Sequence, residues 1–467
     1  MEQSNASDIR IEFLELVTPK EVFDLRKLFV SMNIYEDLFG DSVTVDILLN
    51  DSINLPSKGP ILGEEYLNFS IFTKSVEGES GKGIDINPGL MYSVSISDRH
   101  ITKDRQQLYL LHFTSEQDIV NSNTTVSRSF RGKKISEIVK TILDDYIDPT
   151  ESGNDFVIEE TEGLENVVIP NWKPFKAINW LAKRAINKNN VPNYLFWEAN
   201  GITYFKSVET LLTQQPQQKF IYSPIIASQQ KIFQLAKGRI QLDELAIINQ
   251  FNTTRNIENG YYASKLITHD IVKKKIQQQT YGLNEAYASD ITHTDPFMPI
   301  SPTDTYYDVQ DRHTFAPQVV GSNKGDNVQS YYDSKITFYP KHDRMYSKNS
   351  TDIYNNEVEK WKLQRNALIL GLDQVKLQIT FSGLSYLNIG RTVHITVPSP
   401  EKVLEQNPGK VKNEEELVDT YLSGTYLITA LRHMITWNNG KPVYFQVAEV
   451  TKDALGDVPS YMHRSKE

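Results

Sequence analysis

Alternating apolar and polar positions dominate both ends of the chain. Val43, Val45, Ile47 and Leu49 alternate with Thr44, Asp46 and Leu48, the period-2 pattern of a half-buried strand. The same alternation appears at Phe69, Ile71 and Thr73, at Tyr92, Val94 and Ile96, and at Tyr109, Leu111 and Phe113. Turn-rich stretches such as 50–59 separate these runs, so residues 8–118 read as an antiparallel sheet or barrel. Residues 21–31 (EVFDLRKLFVS) depart from this pattern. They set Val22, Leu25, Leu28 and Phe29 on one helical face and predict a short amphipathic helix. The strand pattern returns late in the chain. Val375, Leu377, Ile379 and Phe381 alternate with Lys376, Gln378 and Thr380; Val393, Ile395 and Val397 follow, and 425–435 and 443–450 finish the sheet.

Between these blocks the period changes. Ile135, Ile138, Val139, Ile142, Leu143 and Tyr146 form a helical stripe that stops before Pro149. A second helix starts at Pro174, with Phe175, Ile178, Leu181, Ala182 and Ile186 on its apolar face and Trp180 off it. Residues 194–197 and 203–205 flank Asn200-Gly201, a turn dipeptide that predicts a hairpin. Residues 213–271 are mixed. Residues 276–335 are polar and weakly periodic, and 357–371 form a helix candidate. The expected fold class is α+β, mainly β. Two tube-type antiparallel β-barrel domains flank a small α+β domain, and an insertion is added. The expected limits are 1–118 for the first β domain, 119–212 for the α+β domain, 213–275 with 372–450 for the second β domain, 276–371 for the insertion and 451–467 for a C-terminal tail.

A length of 467 residues is too great for one core and agrees with several domains. With 24 Tyr and 20 Phe the composition favours strands. The absence of Cys removes disulfides, thiolate metal sites and Cys nucleophiles. Residues 1–10 are polar, without the apolar core of a signal peptide, and no run approaches the ~18 apolar residues of a membrane helix. The expectation is a chain made in a cytoplasm, soluble there, with no membrane anchor. The net charge of −10 argues against gripping nucleic acid, which needs clustered cations. The basic run Lys273-Lys274-Lys275 reads as a solvated loop or helix end.

The search for chemistry returns no catalytic, cofactor-binding or metal-ligating residues. The nine His (100, 112, 269, 293, 313, 342, 394, 433 and 463) are scattered, and no HExxH occurs. The run 78–83 (GESGKG) lacks the spacing of a phosphate loop, so a hairpin tip is the better reading. No GxSxG elbow is present. Asp144, Asp145 and Asp148, leading into 150–155, lack the order and central Gly of a calcium loop. Trp172, Trp180, Trp197, Trp361 and Trp437 read as packing residues rather than a sugar groove.

Four segments, taken in order, carry a family resemblance. The first is Ile34-Tyr35-Glu36-Asp37-Leu38-Phe39, then the strand at 43–49, Leu55-Pro56 and Gly63-Glu64-Glu65-Tyr66-Leu67. The second is Tyr109-Leu110-Leu111-His112-Phe113-Thr114-Ser115-Glu116, leading to residues 126–135 (VSRSFRGKKI). The third is 259–270 (NGYYASKLITHD). The fourth is Gly383, Leu387-Asn388-Ile389-Gly390 and Ser423-Gly424-Thr425-Tyr426-Leu427-Ile428. Together they span about 10 to 450, and the chain resembles the baseplate hub proteins of T-even-type contractile phages, especially marine and cyanobacterial myophages. It is similar too to the N-terminal part of type VI secretion VgrG spikes.

The resemblance implies a structural, non-enzymatic hub without a cofactor. It implies a homotrimer whose two tube-like domains per chain make a pseudo-sixfold ring. The implied partners are the hexameric tail tube or tube-initiator proteins on one face and a trimeric central spike on the other, with baseplate wedge proteins as possible further partners. DNA would pass the lumen without being held. The implied location is the virion baseplate, assembled in the host cytoplasm. No spike or lysozyme-like extension follows residue 450, so a separate spike protein is expected, and 276–371 is longer than the family pattern. The competing readings are a receptor- or carbohydrate-binding tail protein using its aromatics, and a cell-wall hydrolase with a catalytic carboxylate pair brought together by folding.

Overall fold

A computed structural model describes residues 9–73, 84–86, 88–101, 106–148, 155–222, 238–271, 273–283, 286, 293–294, 298–299, 331–341, 358–399, 418–438 and 440–455. The first block holds β1 (Ile9–Val17), β2 (Val22–Asp24), β3 (Phe29–Asp37), β4 (Thr44–Asp51), β5 (Tyr66–Thr73), β6 (Ile84–Ile86), β7 (Met91–Ile101) and β8 (Gln107–Ser115), with the one-turn α1 (Leu55–Lys58). The middle holds α2 (Glu116–Asn123), β9 (Val126–Lys133), α3 (Ile135–Ile142), β10 (Asp155–Ile158), β11 (Glu165–Trp172), α4 (Pro174–Ala182), β12 (Tyr194–Ala199), β13 (Ile202–Ser207) and α5 (Val208–Leu212). Next come β14 (Gln218–Ile221), β15 (Ile240–Gln241), β16 (Glu244–Gln250), α6 (Thr253–Asn259), β17 (Ala263–Asp270), β18 (Lys275–Gly282), β19 (Met298–Pro299), β20 (Ile336–Lys341) and α7 (Val358–Gly371). The chain closes with β21 (Val375–Ser382), β22 (Thr392–Thr396), β23 (Gly424–Asn438), β24 (Lys441–Lys452) and β25 (Ala454–Leu455).

The period-2 runs become strands because alternate side chains enter a core. Val45, Ile47 and Leu49 of β4 and Tyr109, Leu111 and Phe113 of β8 are buried on one face of the first block. Val375, Leu377, Ile379 and Phe381 of β21 do the same in a second core. Two expectations fail in the first block. Residues 21–31 are not a helix: β2 pairs back on β1, a turn runs through 25–28, and β3 begins at Phe29. Leu25, Leu28 and Phe29 are buried while Val22 is exposed, so pairing with β1 and β4 outweighs the weak preference of so short a helix. In β7 a bulge at Val94 shifts the alternation. Met91 and Ser93 face inward and Val94 is exposed.

The middle follows the sequence closely, except that α4 ends at Ala182, so that Ile186, expected on its apolar face, bridges to Glu162 and packs with Leu266 and Trp361 instead. The stripe of α3, carried one turn further by a π turn (Leu143–Ile147), packs Ile138, Val139 and Ile142 against Phe175, Ile178 and Leu181 of α4 in a third core. Hairpin β12–β13 turns at Asn200 and Gly201, whose φ values of 48° and 73° are the left-handed pair that a two-residue turn requires. Arg365 of α7 is half-buried and donates to the carbonyls of Ala182, Pro192 and Tyr194, which fastens α7 to this unit.

Beyond residue 260 the described residues include a sheet that the composition did not predict. β17, expected in the second β domain, instead pairs with β18 and β20 in a separate three-stranded sheet. Lys273, Lys274 and Lys275 sit exposed at the β17–β18 turn, with Lys274 at φ 52°. The runs 78–83 and 149–154, the terminal tail beyond 455, and most of 284–357 lie outside the described residues.

The two strand-rich blocks form one large sheet. Its path is β15-β14-β22-β23-β3-β4-β8-β7-β5-β1-β2, with β24, β21 and β16 branching from β23. Among the described residues this path stays open, so the expected pair of closed barrels is not seen. The reason is local: β23 is 15 residues long, and its C-terminal half leaves β22 to pair with β3 of the other block. With it, Ile435 and Tyr444 enter the first block's core.

Candidate functional site

The seam between the blocks is the place where the large sheet passes from one to the other. β3 and β23 run antiparallel, from Ala430 opposite Asp37 to Thr436 opposite Ser31. On the outer face the Arg432 guanidinium lies 5.5 Å from the Tyr35 ring, and its Nε donates to Asn33 Oδ1 at 3.0 Å. On the inner face the alternation of β3 buries Met32, Ile34 and Glu36.

Glu36 meets two other elements there. Its Oε1 accepts from the Asn200 N–H of the β12–β13 turn at 2.8 Å, and Oε2 lies 3.8 Å from Nε2 of the buried His433. His433 Nδ1 is 2.7 Å from the Tyr444 hydroxyl. Nearby, Glu198 of β12 accepts from the Ser115 hydroxyl at 2.6 Å and the Val43 N–H at 3.2 Å. Burial pushes the Glu198 carboxyl up to about 7, and the charge of Glu36 adds to the shift. The seam thus ties both β blocks to the middle unit through buried polar groups. Sequence reasoning missed it, because Arg432 and Asn33 are 399 residues apart.

The outer face of the first block carries one further polar line. Asp46 and His112 stand directly opposite on β4 and β8, with Oδ1 2.6 Å from Nδ1, and Ser97 Oγ of β7 is 2.7 Å from His112 Nε2. The spacing equals that of a serine nucleophile, base and orienting acid. It is equally the spacing that any three adjacent strands give to cross-strand neighbours.

Three of the five Trp residues share one neighbourhood: Trp172 meets Trp180, and the Arg184 guanidinium lies 3.8 Å from the Trp180 ring and 6.0 Å from that of Trp361, which packs against Tyr339. Trp197 is buried against Tyr204, and the exposed Trp437 lies against Phe29. Among the described residues no three His, Asp or Glu side chains converge as a metal site. His394 sits in β22, its ring held below the usual imidazole value by burial and by the charges of Arg239, Lys219 and Lys452.

The sheet follows the same strand path twice. In the first block the pairing order is β3-β4-β8-β7-β5-β1; in the second it is β16-β21-β24-β23-β22-β14. From β3 to β5, and from β16 to β22, every pairing is antiparallel. The last step differs: β5 and β1 are antiparallel, β22 and β14 parallel. This repeat has no counterpart in the letters of the sequence, where the matching strands share only their periodicity.

No known protein family and no curated protein matches the sequence. Solved structures do. The tail protein from Neisseria meningitidis MC58 superposes with a TM-score of 0.50 at 11% identity, over 94% of this chain and 96% of that one. The 43 kDa tail protein of prophage MuSo2 from Shewanella oneidensis gives 0.50 at 9% identity, over 95% of this chain and 99% of that one. The chain therefore shares the fold of these two tail proteins along nearly its whole length.

Proposed function

We infer that this chain is a structural, non-enzymatic hub subunit of a contractile phage-tail baseplate. Three copies form a pseudo-sixfold ring between the six-fold tail tube and the three-fold central spike. The observation that carries this reading is the strand path repeated in one chain. Two similar β units per subunit turn three-fold into approximate six-fold symmetry, which a joint between such partners requires. The tail-protein fold and the four sequence segments support the same reading.

In this reading the tube-type units are 1–118 and the strands of 213–275 and 372–450 that join the large sheet, with β17 going instead with the insertion. The α+β unit 119–212 and the insertion 276–371 lie outside the tube, where wedge proteins are the natural neighbours. DNA passes the lumen without being held, in keeping with a net charge of −10. The chain resides in the virion baseplate.

Electron-microscopic reconstruction of particles tests the proposal. Three copies on the axis, between tube and spike, are expected. Copies at the periphery, or six or one around the axis, overturn it. A hydrolase reading has one specific observation behind it, the line Ser97, His112 and Asp46. A fluorophosphonate probe separates the two: the hub stays unlabelled, whereas labelling at Ser97 removes the non-enzymatic part of the proposal.

A further inference from the structure

The three-stranded sheet of β18, β17 and β20 packs one face on α7 and leaves the other exposed. On the inner face Leu266 packs with Val358, Trp361 and Leu363, and the Thr268 hydroxyl donates to Glu359 at 2.8 Å. Residues paired across a sheet share a face, so the register fixes the outer one. Ile276 stands opposite His269, Phe338 lies beside Ile267, Ile336 beside Lys265 and Pro340 beside His269. Ile276 and Phe338 are 63% and 74% exposed, and Ile271, where the chain leaves β17, is 67% exposed. Every residue of β18 from Lys275 to Thr280 is exposed.

The turn end of this face is basic. Lys273, Lys274 and Lys275 follow one another there, in a chain whose net charge is −10. The carboxylates close by are engaged elsewhere. Asp270 is buried and accepts from the Lys273 N–H at 2.9 Å. Asp333 pairs with Lys265, and Glu359 accepts from Lys341 Nζ at 3.0 Å as well as from Thr268. The residue types sort the partner. Protein interfaces are depleted in Lys, and their strongest contacts come from Trp, Tyr and Arg, none of which stands on this outer face. Segments that lie on membranes set exposed apolar side chains beside Lys, so that the first enter the head-group layer and the second meet the lipid phosphates.

We propose that the β17–β18 hairpin, with β20 beside it, is a contact surface for an anionic lipid bilayer. Ile271, Ile276 and Phe338 enter the head-group layer, while Lys274 and Lys275 stay at the phosphates on their long stems. The contact lies on the membrane and does not span it. β18 has 8 residues, fewer than the ~9–11 of a membrane-crossing strand, and Gln277, Gln278 and Gln279 in its middle keep the sheet at the polar surface. A Lys beside an anionic surface multiplies partition about fivefold, and salt weakens that attraction. The surface belongs to one chain and does not depend on how many copies assemble.

Flotation of the full chain with vesicles tests this, using phosphatidylcholine alone or mixed with an equal part of phosphatidylglycerol. The chain should float with the mixed vesicles and not with the neutral ones, and about 1 M salt should release most of it. Lys274→Asn with Lys275→Gln should weaken partition about 20-fold; Asn tolerates the left-handed φ of 52° at 274. Ile276→Thr with Phe338→Thr keeps strand-forming residues at exposed positions, so it should weaken binding to the mixed vesicles and leave the melting temperature unchanged. The chain has no Cys, so a polarity-sensitive fluorophore can be placed through Ile276→Cys, or through Leu62→Cys at an exposed position in the first block. The mixed vesicles should shift the first label to the blue and leave the second unmoved. Equal flotation with neutral vesicles, equal shifts of both labels, or unaltered partition of the Lys variant overturns the proposal. So does the absence of flotation, which would leave this face to a protein partner. None of these results bears on the hub reading.

Discussion

Glu198 gives the sharpest test of the buried seam. Its carboxyl is 2% exposed, and burial lifts it from an ordinary glutamate value of about 4.3 to about 7. A folded value above the unfolded one means that folding favours the protonated acid. The contribution to stability is whole below about pH 4.3 and is lost as pH rises through about 7. The full loss is about 3–4 kcal/mol, of which about 2–3 kcal/mol falls between pH 5 and pH 8. Glu198→Gln keeps an oxygen to accept from the Ser115 hydroxyl and Val43 N–H and removes the ionisation. At the usual unfolding entropy per residue, a 467-residue chain melting as one unit shifts by about 1 °C per kcal/mol. Thermal melting at pH 5 and pH 8 should therefore show wild type losing about 2–3 °C more than the variant, and a larger difference if the melting unit is smaller. Burial raises Glu165 in the same direction, but it is present in both proteins and cancels. Equal pH responses would refute the assignment of Glu198 as a buried, neutral acid.

Two other perturbations address the cores. At Gly383 an added Cβ would stand 1.8 Å from Cδ1 of Tyr444, whose ring is fully buried and held through its hydroxyl by His433. Gly383→Ala should cost about 3 kcal/mol in a melting assay, and Tyr444→Leu in the same chain should recover part of that loss, since it removes the clashing ring. Ile138→Asp and Leu181→Asp each bury an unpaired carboxylate in the third core, where both residues are at most 1% exposed. Each should cost several kcal/mol and open the middle unit to protease; unchanged digestion would show that these side chains do not face one another.

The amino-acid sequence alone determined what depends on neighbours close in the chain. The alternation in β4, β8 and β21 sets which side chains can enter a core, because side chains two apart share a face of any strand. The stripe on α3 and the Asn200-Gly201 turn are as local, and they folded as read. The tertiary structure decided everything that depends on which strand lies alongside. Residues 21–31 carry helical spacing, but β1 and β4 offer backbone partners that an eleven-residue helix cannot match. Val94 breaks the alternation of β7 through a bulge that no letter announces. β17 joins β18 and β20 because Lys265 to Asp270 lie beside Ile336 to Lys341, a pairing across most of the insertion. The seam that holds Glu36, His433 and Tyr444 together is made by segments from opposite ends of the chain. Periodicity tells a strand which face to bury. It does not name the strand that will cover its edge, because backbone hydrogen bonds are nearly blind to the side chains they join.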